Sequence, residues 1–186
     1  MFDFSLFKNL NLHESSDFIS ALSEIAEFKT FPKNHIIHAS GSICSHFYII
    51  TKGIARVFYF KEEKDITVHF AAEHDSITAI DSLIQRKKSK YSIETIEETE
   101  TIAVNINSLE LLFEKEPQFE RFGRLFLQDL YIDLVERIDD LQLHTAQERY
   151  DTLLSKKPYL FQRVPSKHLA SFLGMTAETL SRIKGK

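Results

Sequence analysis

The chain has 186 residues, of which 43% are hydrophobic, so it can form one or two domains with a packed core, and its net charge is −4. No run of residues approaches the ~20 consecutive apolar residues of a membrane span, and residues 1–10 lack the pattern of a signal peptide. The single cysteine, Cys44, excludes an internal disulfide and any multi-cysteine metal or iron–sulfur site. These properties predict a cytoplasmic protein that makes no membrane contact.

The N-terminal part of the chain changes from a helical to a β pattern near Phe31. In residues 1–30, helix caps at 15–17 precede apolar residues at helical spacing, which are Phe18, Ile19, Leu22, Ile25 and Ala26. Short apolar runs then alternate with turn residues at a spacing of roughly ten: 35–38, 47–51, 55–60, 66–70, 92–96 and 101–105. This pattern predicts a β-barrel or jelly-roll sandwich, with one or two helical turns at 78–83.

The helical period returns at Asn107, with a short helix to residue 115 and a long helix from Pro117 to about residue 143. One stripe of the long helix has steps of three and four residues, the spacing of a coiled coil: Leu127, Leu130, Leu134, Ile138 and Leu141. A second apolar face contains Phe119, Phe122 and Phe126. A helix with two apolar faces has two neighbours, which we expect to be the β domain and the same helix of a second copy. A monomer that covers both faces itself is the alternative.

A helix at 146–156, a linker at 159–164 and two short helical patterns complete the chain. The first pattern covers 166–173, and the second follows the N-cap Thr176 after a turn at Gly174. Their inward residues are Leu169, Phe172, Leu173, Leu180 and Ile183. Two helices with a glycine in their turn and a polar outer face on the second are typical of a helix-turn-helix, whose second helix enters the DNA major groove. An ordinary helical hairpin is the alternative.

The charge distribution favours nucleic acid as the partner of this C-terminal region. Residues 144–186 contain 8 Lys and Arg against 3 Asp and Glu, a net charge of +5, whereas residues 1–143 carry −9. A basic module on an acidic body is expected where one end of a protein meets phosphates. The sequence therefore predicts double-stranded DNA as a partner.

The order of these parts resembles the CRP/FNR family of bacterial transcription regulators over essentially the whole chain. The resemblance is carried by Gly41 and by three stretches, 47–57 (FYIITKGIARV), 92–99 (SIETIEET) and 173–183 (LGMTAETLSRI). It implies an α+β protein with an N-terminal jelly-roll (double-stranded β-helix) sensor domain at 1–116, a dimerisation helix at 117–143 and a helix-turn-helix DNA-binding domain at 144–186. It also implies a homodimer without enzymatic activity, with RNA polymerase as a further candidate partner.

The resemblance also implies which residues bind DNA. Ala177, Glu178 and Arg182 correspond to positions that contact base edges in the family, where arginine pairs with guanine and glutamate accepts from cytosine. Residues expected near phosphates are Ser166, Lys167, Thr176, Ser181 and Lys184. For Glu178, stabilisation of the helix N-terminus is the alternative role. The linker at 159–164 leaves little room for the β-hairpin wing of many family members, and the chain stops just after the second helix. We therefore expect a minimal DNA-binding module.

The effector region departs from the cyclic-nucleotide-binding members of the family. Those members carry Gly-Glu at a short helix and Arg-Ser for the cyclic phosphate, whereas the corresponding segments here are ITAI at 77–80 and KSKY at 88–91. Lysine lacks the planar fork with which arginine binds phosphate. We therefore expect that cyclic AMP does not bind in the usual way to a pocket formed by Ile77, Thr78, Ala79, Ser89, Lys90 and Tyr91. The effector is unknown, and a family member with no effector and constitutive DNA binding is the alternative.

No cofactor or metal is expected. Haem is formally possible, but no histidine has a haem-specific spacing, and each of the five in the β domain is expected at a strand or loop surface: His35, His38, His46, His69 and His74. A cupin-like metalloenzyme, the least favoured alternative, needs a His-x-His pair, which the sequence does not contain.

Overall fold

The structure is a computed structural model that describes residues 16–185. The features expected at residues 1–10 and at Ser15 lie outside this part of the chain. The helices are α1 (Ser16–Ile25), α2 (Ile80–Gln85), α3 (Ile106–Lys115), α4 (Glu120–Leu143), α5 (Ala146–Lys156), α6 (Leu160–Arg163), α7 (Ser166–Phe172) and α8 (Ala177–Lys184). The strands are β1 (Ala26–Phe31), β2 (Ile36–His38), β3 (His46–Lys52), β4 (Ala55–Lys61), β5 (Lys64–Ala71), β6 (Ser76–Ile77), β7 (Ser92–Thr95) and β8 (Thr99–Asn105). None of the described helices is long and apolar enough to cross a bilayer.

The strands form two four-stranded sheets, with the orders β1-β8-β3-β6 and β2-β7-β4-β5. Strand β8 pairs antiparallel with β1 and β3, β3 pairs antiparallel with β6, and β2 does so with β7. Strands that are distant in the chain therefore lie side by side, as in a jelly roll. The predicted fold is confirmed, and each of the six predicted runs forms a strand.

Apolar side chains of β3 and β8 form the centre of the jelly-roll core. Ile49 lies opposite Ile102, and Phe47 lies opposite Val104; all four side chains are buried. Further side chains from outside the sheets pack with them, which are Phe18, Leu22, Leu109 and Phe119. The ring of Phe18 stacks on that of Phe122, with centroids 4.3 Å apart. The first turn of α4 is therefore held by this core.

Strand β1 differs from the sequence prediction, which placed residues 26–30 in helical segments. All six residues of the segment AEFKTF pair with β8, from Ala26 opposite Val104 to Phe31 opposite Thr99. Strand β6 has only two residues and pairs with β3, so it is too short to produce a sequence pattern. Helix α2 begins at Ile80, two residues later than predicted. Pairing with distant strands decides the structure of β1 and β6.

Two glycines of the predicted β-roll lie in turns that need a positive φ, as expected. Gly41 has a φ of 85° and Gly53 a φ of 99°, values that other residues rarely adopt. At Gly53, a Cβ atom would also lie 2.5 Å from the carbonyl oxygen of Glu98, whereas at Gly41 it would meet no atom of the described residues within 4 Å. Of these two glycines, Gly53 therefore combines a strained backbone with a close approach, and Gly41 has the strained backbone alone.

The chain divides into two compact units. One contains residues up to Val57 together with Phe70–Asp129, and the other contains Phe58–His69 and Leu130–Lys186. In the second unit, the hydroxyl of Ser171 donates to the carbonyl oxygen of Asp65 and accepts from the N–H of Thr67, each at 3.0 Å. The tip of the β4–β5 hairpin therefore packs on α7, which the order of elements along the chain did not predict.

The long helix predicted at 117–143 is confirmed as one 3-10 turn, Pro117–Phe119, followed by α4. Its aromatic side chains Phe119 and Phe122 pack in the core of the first unit. The coiled-coil-like stripe has one half-buried residue, Leu130, and four exposed ones, Leu127, Leu134, Ile138 and Leu141. A contiguous apolar face of this kind is typical of an association site.

Candidate nucleic-acid interface and effector region

The turn between α7 and α8 is a Schellman motif formed at Gly174, which has a φ of 65°. The N–H of Gly174 donates to the carbonyl oxygen of Ser171 at 3.1 Å. The N–H of Met175 donates to the carbonyl oxygen of Ala170 at 3.0 Å. This left-handed ending stops α7 and reverses the chain. Helix α8 begins at the N-cap Thr176, whose hydroxyl accepts from the third N–H of the helix at 3.2 Å. The predicted helix-turn-helix geometry is therefore present.

The two helices bury one face and expose the other. Buried side chains in and before them are Leu160, Val164, His168, Leu169, Ala170, Leu173 and Leu180. Phe172 and Ile183, which were expected to face inward, are half-buried. All eight residues predicted to bind DNA are exposed, and we call them the α8 surface: Ser166, Lys167, Thr176, Ala177, Glu178, Ser181, Arg182 and Lys184.

Hydrogen bonds connect parts of the α8 surface. Lys184 Nζ donates to Ser166 Oγ at 3.4 Å, so the end of α8 lies beside the start of α7. Arg182 Nη2 donates to Thr179 Oγ1 at 3.3 Å. Both cationic groups are therefore held near the helix pair while their outer sides face solvent.

Glu178 takes part in the N-terminal cap of α8. Its own backbone N–H and the hydroxyl of Thr176 hold the pKa of the carboxyl group below its ordinary value, and the positive charge of Arg182 acts in the same direction. A carboxylate that caps its own helix is less free to accept from a base. Arg182 is therefore the stronger candidate for contact with base edges.

Two arginines outside the α8 surface bind the C-terminal end of α7. Arg137 of α4 donates through Nη2 to the carbonyl oxygen of Phe172. Arg149 of α5 donates through Nε to the carbonyl oxygen of Leu173 at 2.7 Å. Neither arginine stands out in the sequence, because the partners are main-chain atoms and carry no residue-type signal.

The predicted effector region is bound by internal hydrogen bonds around Ser89. The Ser89 hydroxyl donates to Asp81 Oδ1 at 2.8 Å and accepts from the N–H of Tyr91 at 2.9 Å. The N–H of Ser89 donates to the carbonyl oxygen of Ser42 at 2.9 Å. The ammonium group of Lys90 lies 5.0 Å from the centroid of the Tyr91 ring. The donors of Ser89 are thus occupied within the protein, and a carboxylate lies beside them.

The burial of the predicted pocket residues is uneven. Ile77, Ala79 and Ser89 are buried, Thr78 and Tyr91 are half-buried, and Lys90 is exposed. Sequence reasoning missed Asp81, although it lies in the helical segment predicted at 78–83. This carboxylate is what joins α2 to Ser89, and the hydroxyl of Thr78 donates elsewhere, to the carbonyl oxygen of His46 at 2.9 Å.

His38 corrects the prediction that the β-domain histidines lie on the surface. It is only 8% exposed, its Nε2 has no hydrogen-bond partner among residues 16–185, and its Nδ1 lies 3.4 Å from Ser42 Oγ. Burial lowers the pKa of His38, and the negative charge of Asp81 opposes this effect. The other four are exposed (His35, His74) or half-buried (His46, His69). Within residues 16–185, no three side chains of His, Cys, Asp or Glu are placed to hold a metal ion.

Comparison with known proteins supports the jelly-roll domain and the overall fold. Residues 28–116 match the family model of the cyclic nucleotide-binding domain, and no functionally curated protein matches the sequence. FixK2 from Bradyrhizobium japonicum has a similar structure, with a TM-score of 0.71 and 20% identity over 87% of this chain and 83% of that chain. CLP from Xanthomonas campestris, described as a c-di-GMP-responsive global regulator, has a TM-score of 0.71 and 16% identity over 90% of this chain and 88% of that chain.

A third solved structure extends the likeness over nearly the whole chain. It is a protein from Eubacterium rectale assigned to the CRP/FNR family of transcriptional regulators, with a TM-score of 0.69 and 16% identity over 96% of this chain and 83% of that chain. The jelly roll, α4 and the helix pair at the C-terminal end follow the order of parts expected from the sequence. Residues 28–116 therefore resemble the cyclic nucleotide-binding domain, and the chain has the fold of the CRP/FNR regulators.

Proposed function

We propose that the protein is a dimeric, sequence-specific DNA-binding regulator of the cytoplasm, without enzymatic activity. The observation that carries this proposal is the α8 surface, whose eight exposed small, polar or charged residues lie on a helix pair with a buried apolar side. A recognition helix enters the major groove with such a face. Regulatory proteins of the same fold support the regulatory role.

Arg182 and Ala177 have the properties needed to reach base edges. Arg182 lies on the exposed side of α8, and its guanidinium can donate two parallel hydrogen bonds to guanine. Ala177 is small and exposed in the first turn, so it permits close approach of α8 to the groove floor. Lys167 and Lys184 provide positive charge for flanking phosphates without selecting a sequence.

A second copy of the chain is the occupant that we propose for the apolar stripe of α4. The four exposed stripe residues have the three-and-four spacing of a helix that pairs with its own copy. A two-fold axis along α4 would present the two α8 helices of the dimer to DNA. Two recognition helices arranged in this way bind half-sites that lie about one turn of the DNA duplex apart.

The effector region does not favour a cyclic nucleotide in the usual way. A cyclic phosphate needs free donors, but the Ser89 hydroxyl already donates to Asp81, and the nearby carboxylate repels an anion. Two states of this region fit the geometry: a site for a different ligand, or a region that senses nothing while DNA binding is constitutive. The internal hydrogen bonds of Ser89 favour the second.

The DNA-binding proposal is tested by two matched substitutions on the α8 surface. Arg182→Ala is expected to weaken binding to a selected site by about 1–3 kcal/mol and to reduce discrimination between bases at one position of each half-site. Lys167→Ala also removes one positive charge, but we expect it to weaken binding to the selected and the scrambled fragment by the same factor. Fluorescence anisotropy on selected and scrambled fragments measures both. Identical, sequence-independent losses in the two variants would contradict the proposed role of α8.

The effector proposal is tested by thermal unfolding with cyclic AMP, cyclic GMP and cyclic di-GMP at millimolar concentration. A ligand that binds the folded state raises the unfolding temperature, and we expect no shift with cyclic AMP. A cyclic AMP shift of several degrees would show that the Ser89–Asp81 arrangement opens for the nucleotide. DNA affinity without any added ligand separates the two states, because constitutive binding needs none.

A further inference from the structure

We propose that Arg137 and Arg149 are positioning residues that fix the orientation of α8 relative to α4, so that pairing of two α4 helices sets the spacing between two recognition helices. This inference rests on the proposed DNA-binding function. It concerns residues that the α8 surface does not include and that would not touch DNA bases.

The first step is the hydrogen bonding of the last carbonyl groups of α7. The final carbonyl oxygens of a helix have no partner within the helix. Here those of Ala170 and Ser171 accept from the N–H groups of the Schellman turn. Those of Phe172 and Leu173 instead accept from Arg137 and Arg149. Side chains from two other helices therefore complete the end of α7, where positive charge also complements the helix dipole.

Arg149 uses three different donors for three carbonyl groups. Nε donates to Leu173 at 2.7 Å, Nη1 to His144 at 2.6 Å and Nη2 to Gly174 at 3.4 Å. His144 lies in the α4–α5 connection, whereas Leu173 and Gly174 form the turn before α8. The planar guanidinium thus holds the connection and the turn together in one geometry, which the single ammonium group of lysine cannot reproduce.

Arg137 attaches the same turn to α4. Its guanidinium carbon lies 4.1 Å from the centroid of the Phe172 ring. Phe172 therefore offers Arg137 both a carbonyl acceptor and an aromatic face. Burial lowers the pKa of Arg137, which indicates a desolvated guanidinium. One turn further along α4, Leu141 Cδ2 would lie 2.9 Å from a Cβ atom at Gly174. Two successive turns of α4 therefore contact the end of α7.

These contacts and the proposed dimer face lie on the same part of α4. Ile138 of the apolar stripe directly follows Arg137, and Leu141 belongs to both the stripe and the contact with Gly174. A change in how two α4 helices pair would therefore move the turn, and α8 with it. The arginines act on the distance between half-sites and not on the recognition of one half-site.

The experiment compares four DNA probes with purified full-length protein. The probes are a single half-site recovered by selection with the unmodified protein, the complete selected site, that site lengthened by one base pair at its centre, and a scrambled fragment. The variants are Arg137→Met, Arg149→Met and Arg149→Lys, and Arg121→Met serves as control because Arg121 is an exposed arginine at the start of α4. Thermal unfolding of each variant reports whether it folds.

The positioning role predicts a specific pattern of affinities. The unmodified protein and Arg121→Met should prefer the complete site over the lengthened site by about tenfold or more, since half-site spacing follows protein geometry. The Arg137→Met and Arg149→Met variants should bind the single half-site within about twofold of the unmodified protein, but their spacing preference should fall below about threefold. Arg149→Lys keeps the charge and should lose the spacing preference as well, because the fork is absent.

Three results would overturn the positioning role. One is an unchanged spacing preference in folded Arg137→Met and Arg149→Met proteins. The second is an equal loss of affinity for the half-site, the complete site and the lengthened site, which would show a role in stability alone. The third is full recovery of the spacing preference by Arg149→Lys, which would show a role of charge alone. Failure of the proposed function looks different: the unmodified protein would then prefer no selected site over the scrambled fragment, and both proposals would fall.

Discussion

Replacing Leu134 by alanine tests whether the apolar stripe of α4 joins two copies of the chain. The Leu134 side chain is 56% exposed in the single chain, and complete burial of a leucine contributes about 1.5–3 kcal/mol. Covering the exposed part therefore contributes about 1 kcal/mol, and a two-fold interface contains the residue twice. The substitution should cost about 2 kcal/mol per dimer, which corresponds to a roughly 30-fold increase in the dimer dissociation constant.

Sedimentation equilibrium over a wide concentration range measures this constant directly. Leu111 is a matched control, because it is also a leucine, is also 56% exposed and lies on α3 outside the stripe. Leu111→Ala should leave the dissociation constant within about twofold of the original. The reasoning is refuted if the unmodified protein is monomeric throughout, or if the two substitutions shift the constant equally.

Four further substitutions test the jelly roll, each by chemical or thermal unfolding. Gly41→Ala should reduce the free energy of unfolding by about 1–2 kcal/mol, from backbone strain alone. Gly53→Ala should reduce it by about 3–5 kcal/mol, because the new Cβ would also meet the Glu98 carbonyl. Equal reductions would contradict the close approach at Gly53. Arg56 is 3% exposed, and its Nε and Nη2 donate to Glu94 Oε2 at 2.9 and 2.8 Å. Glu94→Gln removes the negative charge of this pair and should reduce the free energy of unfolding by about 3 kcal/mol; a reduction below about 1 kcal/mol would show that the charge adds little. Burial lowers the pKa of His38 below its ordinary value of 6.5, so the unfolded chain binds the extra proton and stability should fall as the pH decreases below about 6.5. His38→Gln should flatten this decline, and an unchanged slope would remove His38 as its cause.

The elements with strong local signals were predictable from the sequence. Gly174 and Thr176 specify the turn and the cap of α8 by their own chemistry, and the structure places both in those roles. The six predicted strands have turn residues on each side, so the sequence indicated where each strand begins and ends. Strand β1 lacked such a boundary, because α1 ends at Ile25 and the strand begins at the next residue. Its structure is decided by pairing with β8.

The features that could not be predicted depend on contacts between distant residues. Arg137 and Arg149 bind main-chain carbonyl groups 35 and 24 residues away, and a carbonyl group leaves no trace in a sequence. The hydrogen bond between Thr67 and Ser171 joins residues 104 apart. The burial of His38 and the bond from Ser89 to Asp81 likewise follow from packing. The sequence could predict that the usual phosphate-binding residues were missing, but not that a carboxylate lies beside Ser89.

Selection of DNA fragments from a random library by the unmodified protein tests the central claim most directly. The account predicts enrichment of an inverted repeat whose two halves have centres about one helical turn apart, each with a guanine that Arg182 can contact. It also predicts that binding weakens steeply as the salt concentration rises. A library that shows no enriched sequence after repeated selection, or an enriched motif without two-fold symmetry, would contradict the account of a dimeric DNA-binding regulator.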